Sequence, residues 1–329
     1  MALIEFKVLP GIDKQDTASG AENRWVDCNN TRFRYGLPEK VGGWSSLITD
    51  TIVGVARREF AFVDLDGNRY VAIGTDKFLL IYFEGQLYDI TPLKTTLTSA
   101  TIATTNASTI CSITTGTNHN LSIGDIVLLD TVTLPVGTGY VDADFENKLF
   151  QVTSITSATV FTITQSTAAT ATVGTGGSLS VKPYEPVGPA EQSYGYGWGI
   201  DTWSNGKWGE AASASDVSLE PGLWSLSNFG QVLVATIANG KTFTWNAGDA
   251  ARLTTRASTT TSGFQTTNNP TATRVSLVSP TTRHLIHLGT ETTIGDPTTQ
   301  DDMFIRFSDQ EDINDYVPTA INSAGSQRL

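Results

Sequence analysis

Between Gly54 and Pro92 the chain runs through four short stretches of strand-forming residues: Val55 to Val63, Arg69 to Gly74, Phe78 to Phe83 and Gln86 to Ile90. Asp66-Gly67-Asn68 and Glu84-Gly85 separate them, and such residues tolerate the positive φ of a tight hairpin turn. Stretches this short and this closely spaced fit an antiparallel meander, and four strands joined by tight hairpins make one blade of a β-propeller. Similar stretches return at Leu223 to Gly230, Val232 to Thr236, Lys241 to Asn246, Arg274 to Val278, His284 to Leu288 and Met303 to Gln310. Thr, Ser, Gly and Ala dominate, charged residues make up only 16%, and few stretches repeat apolar residues at helical spacing. The expected fold is all-β: a partial β-propeller with an extended N-terminal arm and an inserted small β-barrel or sandwich domain.

Composition shifts divide the chain further. Residues 1–50 are rich in Gly, Pro, Asn and Asp with little alternation, and read as an extended arm that needs a neighbouring surface for order. Residues 51–92 are the first blade. Residues 93–182 turn to Thr, Ser and Ala and read as the inserted domain, with a turn at Gly124-Asp125 and Val127, Leu129, Val152 and Ile155 in its core. Residues 183–222 form a Gly- and aromatic-rich connecting loop carrying Tyr194, Tyr196, Trp198, Trp203 and Trp208. Those aromatics suit contact with another subunit, or else pack back on their own chain. Residues 223–329 hold further blades.

A net charge of −12 without any Lys/Arg-rich block offers no surface that condenses onto a phosphate backbone, so tight nucleic-acid binding is not expected. Cys28 and Cys111 lie far apart and are read as reduced thiols. No apolar run approaches the roughly 18 to 20 residues of a membrane span, and residues 1–5 lack the parts of a signal peptide, so no stable membrane insertion and assembly in a cytoplasm are expected.

Signals for chemistry are weak. Asp64-Leu65-Asp66-Gly67-Asn68 offers oxygens near a turn but lacks the later Glu of a calcium loop, so it reads as a plain hairpin turn rather than an ion site. His284 and His287, three apart on a strand, face opposite ways and do not meet one metal ion. His119 reads as a polar residue at the edge of the inserted domain. Asp296, Asp301, Asp302, Asp309 and Asp312 are the carboxylates available for glycoside hydrolysis, yet nothing holds two of them at a catalytic separation. No nucleophile elbow, zinc-protease motif or phosphate loop occurs. The chain is therefore expected to be no enzyme, with no cofactor, no metal and no catalytic residue.

Pro10-Gly11-Ile12-Asp13-Lys14-Gln15, Arg24-Trp25-Val26-Asp27 and Arg32-Phe33-Arg34-Tyr35-Gly36-Leu37-Pro38-Glu39-Lys40-Val41-Gly42-Gly43-Trp44 together resemble the amino-terminal segment of the nozzle or tail-stabilisation proteins of short-tailed bacteriophages. The likeness is close over roughly the first 47 residues. It is looser at Leu87 to Pro92, at Leu223 to Asn246 and at Tyr316 to Gly325. His119 to Leu129 with Phe150 to Ile163 looks like a small β module found inserted in phage structural proteins. The resemblance implies a virion protein of the phage tail: a ring, hexameric in the family, below the portal and adaptor. There it would build the DNA ejection channel, with an acidic lumen along which DNA slides, and help retain the genome. The partners implied are other copies of the chain, the tail adaptor, tail fibres or spikes, and genomic DNA in transit.

Within the arm, Trp25, Phe33, Arg34, Tyr35 and Trp44 are the expected inter-subunit contacts. If the stretch is one strand, Arg32 and Arg34 lie on one face to meet a neighbour's carboxylates, while Phe33 and Tyr35 lie on the other to enter its apolar groove; an ordinary strand within one subunit is the alternative. The family continues with several more blades where this chain stops at Leu329, so either the chain is part of a longer one or something else covers the open sheet edges. A tail-fibre, receptor-binding or fibre-adaptor role is the other functional reading, with the 93–182 domain and the aromatic loop as its adhesive parts.

Overall fold

The computed structural model describes residues 8–43, 45–46, 48, 50–191, 220–259 and 269–329. It divides into two compact units, residues 1–49 and 50–329. The protein is all-β. No α-helix occurs among the described residues, only short 3-10 turns at Asp142–Asp144 and Pro297–Thr299.

In the first unit, β1 (Leu9–Ile12) pairs in parallel with β2 (Arg24–Trp25). β3 (Thr31–Arg34) and β4 (Leu37–Lys40) form a hairpin closed by Tyr35-Gly36, both at positive φ (51° and 80°), the geometry of a two-residue turn that follows the strand twist. Ala21 is the only buried hydrophobic residue among the described residues of this unit.

The second unit starts with β5 (Ala56–Val63), β6 (Arg69–Thr75), β7 (Leu79–Phe83) and β8 (Gln86–Asp89), an antiparallel meander in sequence order. Its last hairpin turns on Glu84-Gly85, again both at positive φ. The chain then enters a closed barrel of β9 (Leu97–Thr104), β10 (Ile110–Thr114), β11 (Ile126–Thr133), β12 (Lys148–Ser157), β13 (Val160–Thr164) and β14 (Val173–Pro183), ordered β10-β13-β12-β11-β14-β9. Closure removes the free edges of so polar a sequence. Entry and exit are zipped together: Lys94 N–H donates to Pro183 O at 2.8 Å and Glu185 N–H to Pro92 O at 2.9 Å.

Beyond the barrel, β15 (Trp224–Phe229), β16 (Val232–Ile237) and β17 (Thr242–Asn246) form a three-stranded meander. β18 (Thr273–Val278), β19 (Leu285–Thr290), β20 (Phe304–Phe307) and β21 (Gly325–Arg328) form a third, four-stranded one. The three meanders stack face to face. Phe62, Tyr70, Leu79, Ile81 and Phe83 of the first share a core with Trp224, Leu226, Leu233, Ala235, Phe243 and Trp245 of the second. Tyr70 stacks on Phe83 (centroids 4.7 Å apart) and meets the edge of Trp245 at 5.6 Å. Because side chains alternate along β16, its neighbouring residues face the third meander instead: Val234 packs with Leu285 and Tyr316, and Thr236 Oγ1 lies 2.5 Å from Ser276 Oγ.

Two details depart from the sequence expectation. Val127, Leu129 and Val152 fill the barrel core, but Ile155 is 36% exposed. The β12–β13 register slips between Val152 and Ser154 and again between Ile155 and Ser157, and such bulges turn later side chains to the opposite face. β21 falls in a Ser- and Gly-containing tract with no apolar alternation, and only its pairing with β20 makes it a strand.

Contact between the first two meanders depends on Gly74. A Cβ there would lie 2.6–2.8 Å from Trp224 side-chain atoms, and Trp224 Nε1–H donates to Thr75 O at 3.0 Å. Gly74→Val is expected to destabilise the unit by about 2–3 kcal/mol, the upper range for overpacking a core, seen as a lower urea midpoint; an unchanged midpoint contradicts this packing.

Candidate assembly surfaces and the barrel junction

The arm residues occupy different settings. Trp25 ends β2 half-buried, its carbonyl accepting Asp13 N–H at 2.8 Å. Phe33 is half-buried in β3 opposite Pro38. Arg34 is exposed, with its guanidinium 5.4 Å from the Tyr35 ring centre. Tyr35, at the tip, is 91% exposed, and Leu37 beside it 70%.

Arg32-Phe33-Arg34-Tyr35 is therefore not one continuous strand with two-by-two faces. The positive φ at Tyr35 takes it out of β3 into the turn. Arg32, expected to meet a neighbour's carboxylate, instead pairs across the hairpin with Glu39 (Nε to Oε2 3.1 Å), because the turn brings those residues opposite each other. Trp44, Tyr194, Tyr196, Trp198, Trp203 and Trp208 lie outside the described residues.

Sequence reading missed the junction that joins barrel to meanders. Arg256, in the loop after β17, donates from Nη1 to Asp89 Oδ2 and to Thr91 O, both at 3.0 Å, and from Nη2 to the Tyr184 hydroxyl at 2.7 Å. Tyr184 donates in turn to Asp89 Oδ2 at 2.6 Å, with the Arg256 guanidinium 4.7 Å from its ring centre and Phe78 edge-on at 5.6 Å. Burial, and next the Asp89 carboxylate, push the Tyr184 phenol well above its usual range, against the opposing pull of Arg256. Three residues 95 and 72 positions apart meet here, so no local pattern signals the cluster.

Beside the junction lies a cleft of about 730 Å³, lined by barrel residues including Asn118, His119 and Asn120 and by Lys94, Glu185, Lys241, Phe243 and Arg256. Its cations are occupied: Lys94 with Asp125 at 3.6 Å, Lys241 with Glu185 at 3.1 Å and Arg256 with Asp89. Of these pairs, Lys241 with Glu185 links the second meander to the segment that leaves the barrel.

The residues weighed for chemistry all have structural employment. Asp64 accepts from the N–H groups of Asp66 and Asn68 (both 2.9 Å), from Asn68 Nδ2 (2.8 Å) and from the Tyr70 hydroxyl (3.1 Å). Burial pushes its carboxyl up, but these bonds together outweigh that and hold it below the usual range. His119 Nδ1 accepts Leu121 N–H at 3.0 Å, which leaves Nε2 to donate to Ser157 O at 3.0 Å. His284 Nδ1 lies 2.8 Å from Ser308 O, while His287 points inward with Nε2 3.0 Å from the Tyr316 hydroxyl and Nδ1 3.3 Å from Thr273 Oγ1. Asp296 caps a 3-10 turn, Asp301 and Asp302 pair with Arg328 (2.7 Å) and Arg274 (2.6 Å), Asp309 binds Ser323, and Asp312 accepts Asn314 N–H. Among the described residues no group of three His, Cys, Asp or Glu is placed to hold a metal ion, and no helix is long and apolar enough to cross a membrane.

No family model matches the chain, and no curated protein matches it in sequence. Among solved structures, the phage phi92 endosialidase aligns over 73% of this chain and 34% of its own length, at 15% identity and a TM-score of 0.22. The chain thus spans about a third of that protein, and a likeness this low carries no argument.

Two measurements test this geometry. Arg256→Met removes the cation that satisfies Asp89, Thr91 and Tyr184 together, and is expected to cost about 2–3 kcal/mol, the order seen when a hydrogen bond to a charged group is lost; Tyr184→Phe should cost about 1 kcal/mol. Calorimetry showing no loss for Arg256→Met contradicts the junction.

Burial holds the His287 imidazole down to about 3, with the nearby Arg306 adding to the effect. A histidine with a depressed folded value contributes stability that is intact above the ordinary value of about 6.5 and is lost as pH falls from there toward about 3. The wild type should therefore lose stability over that window more steeply than His287→Gln, by a few kcal/mol in total.

Proposed function

We propose that the chain is a structural subunit of a phage tail, of the nozzle or tail-stabilisation kind. In this reading it assembles with copies of itself into a ring, hexameric by resemblance, that continues the DNA channel below the portal and adaptor. The observation that carries the reading is the arm. Its motif from Pro10 to Trp44 is where the sequence most closely resembles that family, and the described residues of the arm expose Leu9, Tyr35, Leu37 and Val41 while burying only Ala21 among hydrophobics. A segment this poor in core does not offset its own chain entropy and gains by docking on another surface.

The Tyr35 tip is shaped for such docking. A two-residue turn presents an aromatic and a leucine on a narrow, pre-formed ridge, and aromatic anchors with few rotatable bonds bury large area at low entropic cost. The acidic balance of the chain, −12 overall, suits a wall past which DNA moves without sticking. Enzymatic function is not part of the proposal, since the weighed carboxylates are committed to turn caps and ion pairs.

Electron microscopy of the purified chain tests the proposal. Rings with an axial hole are expected, and Tyr35→Ala with Leu37→Ser should weaken them while leaving the melting of residues 50–329 unchanged. Particles that remain monomeric and bind host cells instead favour the receptor-binding role.

A further inference from the structure

The cleft beside the Arg256 junction, at about 730 Å³, has the size of a pocket that takes a small organic ligand, and it lies where two parts of the fold meet. Its lining comes from the segments that enter and leave the barrel, from the loop between β10 and β11, and from β17 with the loop after it.

Charge narrows the class of ligand. Lys94, Lys241 and Arg256 line the cleft, and each is paired with one carboxylate, of Asp125, Glu185 and Asp89 respectively. A site balanced in this way, in a chain of net charge −12, does not draw in an anion, and its carboxylates are already engaged by cations. Hydrogen-bonding capacity remains. Lys94 Nζ approaches Asp125 only to 3.6 Å and makes no hydrogen bond among the described residues. Lys241 Nζ spends one of its three donors, on Glu185 Oε1. The side chains of Asn118 and Asn120 and the hydroxyls of Thr95 and Thr259 bond to no other described residue. Leu93 and Leu97, both half-buried, add a small apolar surface.

We infer that this cleft binds a short neutral carbohydrate. A hydroxyl donates one hydrogen bond and accepts two, which matches an ammonium with spare N–H groups beside a carboxylate with spare lone pairs, and matches amides that offer both donor and acceptor. The two leucines supply apolar contact for the carbon face of a sugar ring. An extended peptide fits less well, because it binds by adding a strand to an open sheet edge. β17, which borders the cleft, is already bridged there: Thr244 N–H donates to Ser258 O and Ser258 N–H to Thr244 O, both at 3.0 Å. The site goes beyond the proposed tail role and does not depend on ring formation.

Nuclear magnetic resonance of the full chain tests the site. Methyl glucoside, methyl galactoside and N-acetylglucosamine are the neutral probes and inorganic phosphate the anionic one, each at millimolar concentration. The backbone amides of residues 117–120 and 256–259, on two sides of the lining, are followed. At least one neutral sugar should shift both groups in a saturable way, and phosphate should shift neither. Asn118→Ala with Asn120→Gly should weaken binding of that sugar about tenfold, the effect of two lost hydrogen bonds, at an unchanged melting temperature. Glycine is chosen at position 120 because Asn120 has a φ of 49°, which glycine adopts without strain. The inference is overturned if none of the three sugars shifts these amides, if phosphate alone does so, or if the double variant binds the sugar as tightly as the wild type.

Discussion

A β-sheet that is apolar on both faces has to be covered on both, and most of this structure follows from that requirement. β16 shows it within one strand: Leu233 and Ala235 belong to the core shared with the first meander, while Val234 belongs to the core shared with the third. One strand therefore ties two cores, and the register of its pairs with β15 and β17 decides which residue enters which. The aromatic cluster of Phe62, Tyr70, Phe83 and Trp245 supplies the large buried area on one side. The other side is partly polar, with Thr236, Ser276, His287 and Tyr316 satisfying one another. Polar groups placed this way specify one arrangement of sheets, because any slip leaves them unpaired in a dry interior.

The barrel is attached to this stack without interrupting it. Its first and last strands pair irregularly, its entry and exit segments are hydrogen-bonded to each other, and Tyr184 at the exit meets Asp89 at the end of the first meander. Arg256 from the second meander completes the contact. A cation with several donors suits a point where three chain segments converge, since it satisfies a carboxylate, a carbonyl and a phenol at once. The junction thus holds the barrel, the first meander and the second meander in one unit.

Much of the fold was legible in the sequence because hairpin chemistry is local. Glu84-Gly85 takes the positive φ values that its residues allow, and the strands on either side follow. His284 and His287 face opposite ways because alternation along a strand is also local. Other features depended on residues far away. The bulges that expose Ile155 arise from the pairing of β12 with β13, β21 exists only through its partner β20, and Arg256 reaches Asp89 across 167 positions. In the arm, alternation suggested a two-faced strand through Tyr35, whereas the Tyr35-Gly36 turn breaks that run and pairs Arg32 with Glu39. The candidate assembly residues Trp25, Phe33, Arg34 and Tyr35 were marked by a resemblance to a family motif. The apolar residues of the third meander alternate with Ser276, His287 and Arg306 along their strands, but only the register shows that they share one face.

The central claim is that β16 ties the first and third meanders into one unit by sending alternate side chains into two cores. Hydrogen exchange of the full chain, read residue by residue, tests it most directly. The account predicts that the amides of β6, β16 and β19 exchange with one common free energy, that of global unfolding. Exchange of β19 well ahead of β6 and β16 contradicts it.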